Sequence, residues 1–128
     1  MVEEGPRPVC SFLIPVVRDS DRRPHAPVVW RLLQDALLRT FGALTGPEAV
    51  LYYRKPDDVP GAWRPEEGEE LVGDRSRRYT IALPANRVDD LRALLRRAGN
   101  SFDQRVMYLE VAGYAEFLQV RLEDGVLE

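Results

Sequence analysis

Cysteine and histidine are scarce in this chain. Its 128 residues include one cysteine, Cys10, and one histidine, His25. A single cysteine cannot form an intrachain disulfide, and the two residues together cannot supply the four ligands of a structural zinc site. We therefore expect no metal and no other cofactor. Cys10 stands within an apolar run and is predicted to be a core residue, so a reducing cytoplasm is the simplest compartment.

Several sequence motifs typical of ligand binding and catalysis are also absent. The nine glycines do not cluster as a phosphate-binding loop requires, and no serine stands in a nucleophile elbow. The net charge of −3 lacks the basic excess that attracts nucleic acid. The most apolar run, residues 9–17, contains Pro15 and follows Glu3 and Glu4, so it is neither a membrane span nor an export signal. These absences predict no nucleic-acid partner and no membrane partner.

The most regular pattern lies in residues 77–112. Residues 77–83 alternate with a period of two, which predicts a strand that ends at Pro84. A helix follows, with Asn86 as its predicted N-cap and Gly99-Asn100 as its predicted left-handed stop. Residues 104–111 return to a period of two and predict another strand. Strands joined in this way usually lie parallel, with the helix packed on one face.

The rest of the chain supplies the remaining elements of one domain. Residues 9–18 predict a first strand, a helix runs from Pro27 to about Thr40, and residues 49–54 predict a second strand. Residues 1–8 are expected to form a loose tail and residues 55–73 a long loop, because prolines, glycines and an acidic run interrupt them. Residues 116–122 predict an optional extra strand at the C-terminus.

This order of elements defines a fold class. Strand, helix, strand, strand, helix, strand is the α+β, ferredoxin-like βαββαβ arrangement, an antiparallel sheet with both helices on one face. The opposite face would then be open. The residues predicted on it are Leu13, Val17, Thr80, Val106 and Tyr108. Such a face is too apolar for water, so we expect a homodimer or larger homo-oligomer.

The charged and titratable residues that are candidates for catalysis or ion binding each have a simpler explanation. His25 is a candidate general base ahead of the first helix, but a solvated loop histidine is the simpler interpretation. Four glutamates between residues 66 and 70 offer oxygen ligands to a hard cation, although an acidic run is usually solvated. Arginines at 75, 77, 78, 92, 96 and 97 offer an anion site, although arginines on outer faces usually serve solubility.

Aromatic residues and one amide are the more specific candidates. Tyr52, Trp63 and Tyr108, with other tyrosines, are candidates to line a pocket, and core packing or a dimer interface is the alternative explanation. Gln104 is predicted to open the last sheet strand on the face of Tyr108. A buried amide there needs partners, either backbone groups or a ligand.

Three short motifs resemble those of a group of small uncharacterised bacterial proteins. The motifs are Phe41-Gly42-Ala43-Leu44-Thr45, Gly61-Ala62-Trp63 and Gln104-Arg105-Val106-Met107-Tyr108. That group carries Phe-Gly-Gly-x-Thr after the first helix, Gly-x-Trp, and Gln-x-x-Val-Tyr near the end; Ala43 replaces its second glycine. The resemblance implies a ferredoxin-like fold and no assigned activity. It indicates Thr45, Trp63, Gln104 and Tyr108 as candidate ligand-binding residues.

Two functional hypotheses remain. The first is a non-catalytic homo-oligomeric domain that binds a small molecule or a protein partner across its sheet and residues 46–73. The second is a cofactor-independent enzyme of the dimeric α+β barrel type, an oxygenase or isomerase. That enzyme would use His25, Tyr108 or Gln104 around an enclosed cavity, so whether these side chains converge distinguishes the two hypotheses.

Overall fold

The structure, a computed structural model, describes residues 5–54 and 72–128. Within these ranges the elements are β1 (Val9–Pro15), α1 (Pro27–Phe41), β2 (Thr45–Arg54), β3 (Val72–Ala82), α2 (Val88–Ser101), β4 (Val106–Val111) and β5 (Tyr114–Gln119). Each predicted element is present, with some boundaries moved by several residues. The predicted tail lies partly outside the described residues, as does nearly all of the predicted loop at 55–73.

All five described strands form one sheet in the order β2-β3-β1-β4-β5. Every neighbouring pair is antiparallel. Since β3 and β4 are both antiparallel to β1, which lies between them, they run parallel to each other, as the pattern of residues 77–112 predicts. The chain is therefore an α+β protein with a five-stranded antiparallel sheet and two helices, compatible with a ferredoxin-like or related fold.

Helix α1 begins and ends where its sequence predicts. Pro27 occupies the first turn, where its missing N–H costs no hydrogen bond, and Gly42 ends the helix with a φ of 83°. Its buried residues are Trp30, Leu33, Ala36 and Leu37. Full burial of a leucine side chain stabilises the fold by roughly 1.5–3 kcal/mol, so this apolar stripe holds the helix on the sheet.

Helix α2 does not end at Gly99-Asn100, contrary to the prediction. It continues to Ser101, and the left-handed conformation falls on Asp103, with a φ of 52°. Gly99 is buried in the helix, where an added Cβ would contact Val120 and Met107. Asn100 donates two hydrogen bonds of 2.8 Å to backbone carbonyls of the C-terminal segment. The predicted cap at the other end is also absent: Asn86 lies in a short 3-10 turn, Ala85–Arg87, and no side chain caps α2.

The core lies between the sheet and the two helices. Alternate residues of β1, Cys10, Phe12 and Ile14, are fully buried there, which confirms the expected burial of Cys10. Burial raises the pKa of the Cys10 thiol. The ring of Phe12 stacks on that of Tyr79 with centroids 5.5 Å apart. The buried Tyr79 hydroxyl has no hydrogen-bond partner among the described residues.

An ion pair joins α2 to the edge strand β5. Arg92 donates two hydrogen bonds to the carboxylate of Glu116, at 2.8 and 2.7 Å, and a third to Asp89 at 2.6 Å. The bond from Arg92 is also the main reason that the pKa of Glu116 is lowered. Arg92 was expected to serve only solubility, but its bidentate geometry fixes β5 against the helix.

Candidate functional site

The sheet face away from the helices carries the candidate site. Along β1, the residues that alternate with the buried core positions are Ser11, Leu13 and Pro15, and Leu13 is paired with both Tyr108 and Arg78. The register therefore places Leu13, Thr80, Val106 and Tyr108 on this open face, as predicted. Val17 is different: it lies beyond the end of β1 and forms a bridge with Pro24.

A groove of about 180 Å³ crosses one end of this open face. We call it the open-face groove. Its lining residues are Leu13, Pro15, Tyr52, Asp74, Ser76, Val106, Tyr108 and Phe117. The rings of Tyr108 and Phe117 meet edge to face with centroids 5.6 Å apart. Phe117 is 62% exposed and Tyr52 is 44% exposed. Large aromatic side chains therefore stand at the surface of the groove, where rings of a ligand can stack on them.

Two polar residues of β3 interrupt this apolar lining. Ser76 is 4% exposed and lies at the floor of the groove, between Pro15 on β1 and Val50 on β2. Asp74 lies nearer the rim, opposite Tyr52, and forms an ion pair of 3.4 Å with Arg22. A mostly apolar groove with a few convergent polar groups is typical of small-molecule sites.

The four candidate residues from the sequence do not come together in this groove. Tyr108 lines it. Thr45 opens β2 opposite Thr80, just before an irregularity in the pairing, and is exposed outside the groove. Trp63 lies outside the described residues. By its location Tyr108 remains a candidate ligand-binding residue of this groove, whereas Thr45 does not line it.

Gln104 has partners within the protein. It precedes β4, is 5% exposed, and its side-chain amide donates hydrogen bonds to the carbonyls of Val17, at 2.9 Å, and Phe102, at 3.0 Å. These bonds tie the segment after β1 to the turn after α2. The sequence left open whether the partners of this buried amide are backbone groups or a ligand. In the structure they are backbone groups.

His25 is not a solvated loop residue, so the simpler interpretation from the sequence is wrong. It is 9% exposed, its Nε2 lies 2.8 Å from the carbonyl oxygen of Pro15, and its ring meets Trp30 and Phe102 edge-on. Burial lowers the pKa of His25, although the bond to Pro15 opposes this effect. This burial was not predictable from the residues near His25, because Phe102 is distant along the chain.

The three side chains of the barrel-enzyme hypothesis do not line one groove either. Tyr108 lines the open-face groove, whereas His25 lines a different groove beside α1, and Gln104 lines neither. Sequence reasoning missed Ser76, Asp74 and Phe117 as groove residues. The predicted strand at residues 116–122 included Phe117, but the position of Phe117 beside Tyr108 depends on how β4 and β5 are paired.

Neither a metal centre nor a membrane helix is found in the part of the chain that the structure describes. No three His, Cys, Asp or Glu side chains within residues 5–54 and 72–128 group closely enough to bind a metal ion. None of the described helices combines the length and the apolar character needed to span a bilayer.

Comparison with known proteins yields structural similarity alone. No family model and no curated protein matches this chain. In fold the chain is similar to a phage SAM lyase in complex with S-methyl-5'-thioadenosine, with a TM-score of 0.57 and 14% identity over 94% of this chain and 95% of that one. The apo state of a phage SAM lyase gives a TM-score of 0.49 and 13% identity over 94% and 96%. At this identity the likeness concerns the fold.

Proposed function

We propose that the chain is a homo-oligomeric domain that binds a small molecule with a planar ring in the open-face groove. The observation that carries the proposal is the placement of Tyr52, Tyr108 and Phe117 at the surface of the open face, around the polar Ser76. An aromatic side chain there offers a ring face or edge to a ligand, and a hydroxyl at the floor offers a directional hydrogen bond.

Exposed apolar side chains on the open face support the homo-oligomer. The groove's volume of about 180 Å³ is below the roughly 300–1,000 Å³ of a typical small-molecule site. A second copy laid over the open face would enlarge and close the site, and would also cover the exposed side chains of Val106 and Phe117. In this proposal a second copy of the chain covers the apolar face, and the same contact between the two copies completes the ligand site.

The proposal includes the fold and the compartment. We assign a ferredoxin-like fold with β5 added beside β4, because the other four strands lie in the order β2-β3-β1-β4 with one helix in each crossover. We assign the cytoplasm because the free thiol of Cys10 is compatible with a reducing compartment.

A second candidate function is an enzyme that acts on S-adenosylmethionine. The specific observation in its favour is the fold likeness to a phage SAM lyase over 94% of the chain. Aromatic rings attract a sulfonium cation through their faces, and Asp74, whose carboxylate pairs with Arg22 at 3.4 Å, lies at the rim of the groove. Cleavage of a carbon–sulfur bond would leave both electrons on sulfur and release a neutral thioether, while the carbon that leaves sulfur gains a bond from an oxygen nucleophile of the substrate or forms a double bond as its neighbouring carbon loses a proton.

Titration calorimetry with S-methyl-5'-thioadenosine and with S-adenosylmethionine tests both candidates. We expect saturable binding below about 1 mM and a loss of about tenfold or more in Tyr108→Ala, since aromatic stacking on a base contributes roughly 1–3 kcal/mol. Tyr114→Ala is the matched control, because Tyr114 is 79% exposed and lies outside the groove.

Chromatography of the incubated S-adenosylmethionine then separates the candidates. Formation of S-methyl-5'-thioadenosine that is lost in Asp74→Asn supports the enzyme. Binding without turnover supports the binding domain, and absence of binding to either compound contradicts the S-adenosylmethionine enzyme.

Light scattering of Phe117→Asp should show a smaller particle than the wild type if the open face joins two copies; an unchanged mass argues against that interface.

A further inference from the structure

A second groove lies on the helix side of the same end of the sheet. Its volume is about 450 Å³, and it opens between the chain after β1 and the first turns of α1. Consecutive residues of a strand point to opposite faces, so Ser76 belongs to the open-face groove whereas Arg77 belongs to this one. The two sites are therefore separate. We call this one the helix-side groove.

The charge in the helix-side groove comes from Arg77. Its guanidinium carbon lies 4.0 Å from the centre of the Trp30 ring, and the side chain is half-buried. The next residue, Arg78, shows the ordinary arrangement, because its guanidinium pairs with Glu48 at 3.2 Å on the other face. Among residues 5–54 and 72–128, no carboxylate forms an ion pair with Arg77. A guanidinium stacked on a ring keeps its edge of N–H donors available to a carboxylate.

The first turn of α1 adds to this positive potential. It contains no acidic residue, and Ala26 at the N-cap offers no side-chain acceptor to the free N–H groups. The N-terminal end of the helix dipole is thus left without a compensating charge on its own first turn. This end of α1 reaches the groove through Pro27 and Trp30.

The other walls determine what kind of anion fits. Val16, Val17, Pro24 and Pro27 are apolar, and Gln34 contributes one amide that can donate or accept a hydrogen bond. His25 adds no second cation near neutral pH, because burial lowers its pKa. One cation balances one negative charge, and apolar walls favour an organic body over a fully hydrated inorganic ion.

We propose that the helix-side groove binds a small organic carboxylate. Arg77 pairs with the carboxylate, Gln34 forms a hydrogen bond to a polar atom of the ligand, and the apolar part lies against Val17 and Pro27. This site is independent of the open-face groove and of the planar-ring ligand proposed there.

Benzoate is the probe, because it joins one carboxylate to a planar apolar body. In ¹H–¹⁵N spectra of the full chain, Trp30→Phe assigns the indole N–H signal of Trp30. We expect benzoate to shift that signal saturably at millimolar concentrations. Arg77→Gln should weaken the binding by about tenfold or more, since hydrogen bonds to charged groups contribute roughly 1.5–3 kcal/mol. Arg78→Gln, the neighbouring arginine on the opposite face, should change it by less than about twofold.

A second variant keeps the test decisive if Arg77→Gln does not fold. Gln34→Glu places a negative charge in the groove from a partly exposed helix position, and it should weaken benzoate binding through repulsion while the melting temperature holds. A signal that does not saturate with benzoate overturns the proposal. So does binding of inorganic phosphate in preference to benzoate, or an equal loss in Arg78→Gln.

Discussion

Gly99 allows the packing of α2 on the sheet to be tested directly. A methyl group added to it would overlap Cγ2 of Val120 and would lie 3.0 Å from Cγ1 of Val120 and 3.1 Å from Cγ of Met107. The side chain of Met107 is flexible and can move aside. Val120 is β-branched and restricted in χ1, so it yields less easily. The substitution Gly99→Ala therefore measures how tightly the helix approaches this residue.

Two effects of Gly99→Ala oppose each other. Alanine is favoured over glycine inside a helix by about 1 kcal/mol. Overpacking of a filled site costs about 1–3 kcal/mol, and the stiff neighbour Val120 places this case in the upper half of that range. We expect Gly99→Ala to lower the free energy of unfolding by about 1–2 kcal/mol. In a Val120→Ala background both Cγ atoms are gone, so the same change should raise it by up to about 1 kcal/mol.

Urea denaturation of the four proteins in this cycle gives the coupling directly. We expect a coupling of about 1–3 kcal/mol between the two positions, with a reversal of sign for Gly99→Ala between the two backgrounds. An equal loss in both backgrounds would refute the packing argument, because it would mean that glycine is needed for its backbone conformation.

Three further predictions concern polar groups. Gln104→Ala should lower the free energy of unfolding by roughly 1–3 kcal/mol, because two backbone carbonyls lose their donor; a loss below about 0.5 kcal/mol in urea denaturation contradicts this role. Glu116→Gln should cost about 1 kcal/mol at low salt, and the difference from wild type should shrink in about 1 M NaCl if the pair with Arg92 is responsible. Burial lowers the pKa of His25 below the ordinary 6.5, so the unfolded chain binds a proton first and the unfolding free energy should fall as pH drops below 6.5. His25→Gln should lose this part of the pH dependence in thermal melts between pH 7.5 and 5.5; an unchanged slope counts against a buried neutral imidazole.

Side-chain alternation was predictable from the sequence because it is a local property. A period of two assigns residues to one face wherever the strand lies in the sheet, and this placed Thr80, Val106 and Tyr108 together on the open face. The same holds for the start of α1, where Pro27 acts within its own turn. Local chemistry decides such features, so the sequence suffices for them.

The environment of individual polar residues was not predictable in this way. His25 is enclosed by Phe102, and Gln104 donates to Val17, across separations of about eighty residues in both cases. Nothing near either residue in the sequence signals these partners. The charge at 77–78 shows the same limit, because two adjacent arginines have opposite roles: Arg77 stacks on Trp30 and Arg78 pairs with Glu48.

The contact between Tyr108 and Phe117 shows how the candidate site depends on a single turn. The hairpin of β4 and β5 turns through two residues, Ala112 and Gly113, both with positive φ (49° and 89°), and pairs Val111 with Tyr114. That register sets Phe117 opposite Tyr108. Because strand side chains alternate, a shift of this pairing by one residue would move Phe117 to the helix side and leave Tyr108 without its aromatic neighbour. The aromatic wall of the open-face groove thus follows from the length of this turn, which sequence periodicity alone does not determine.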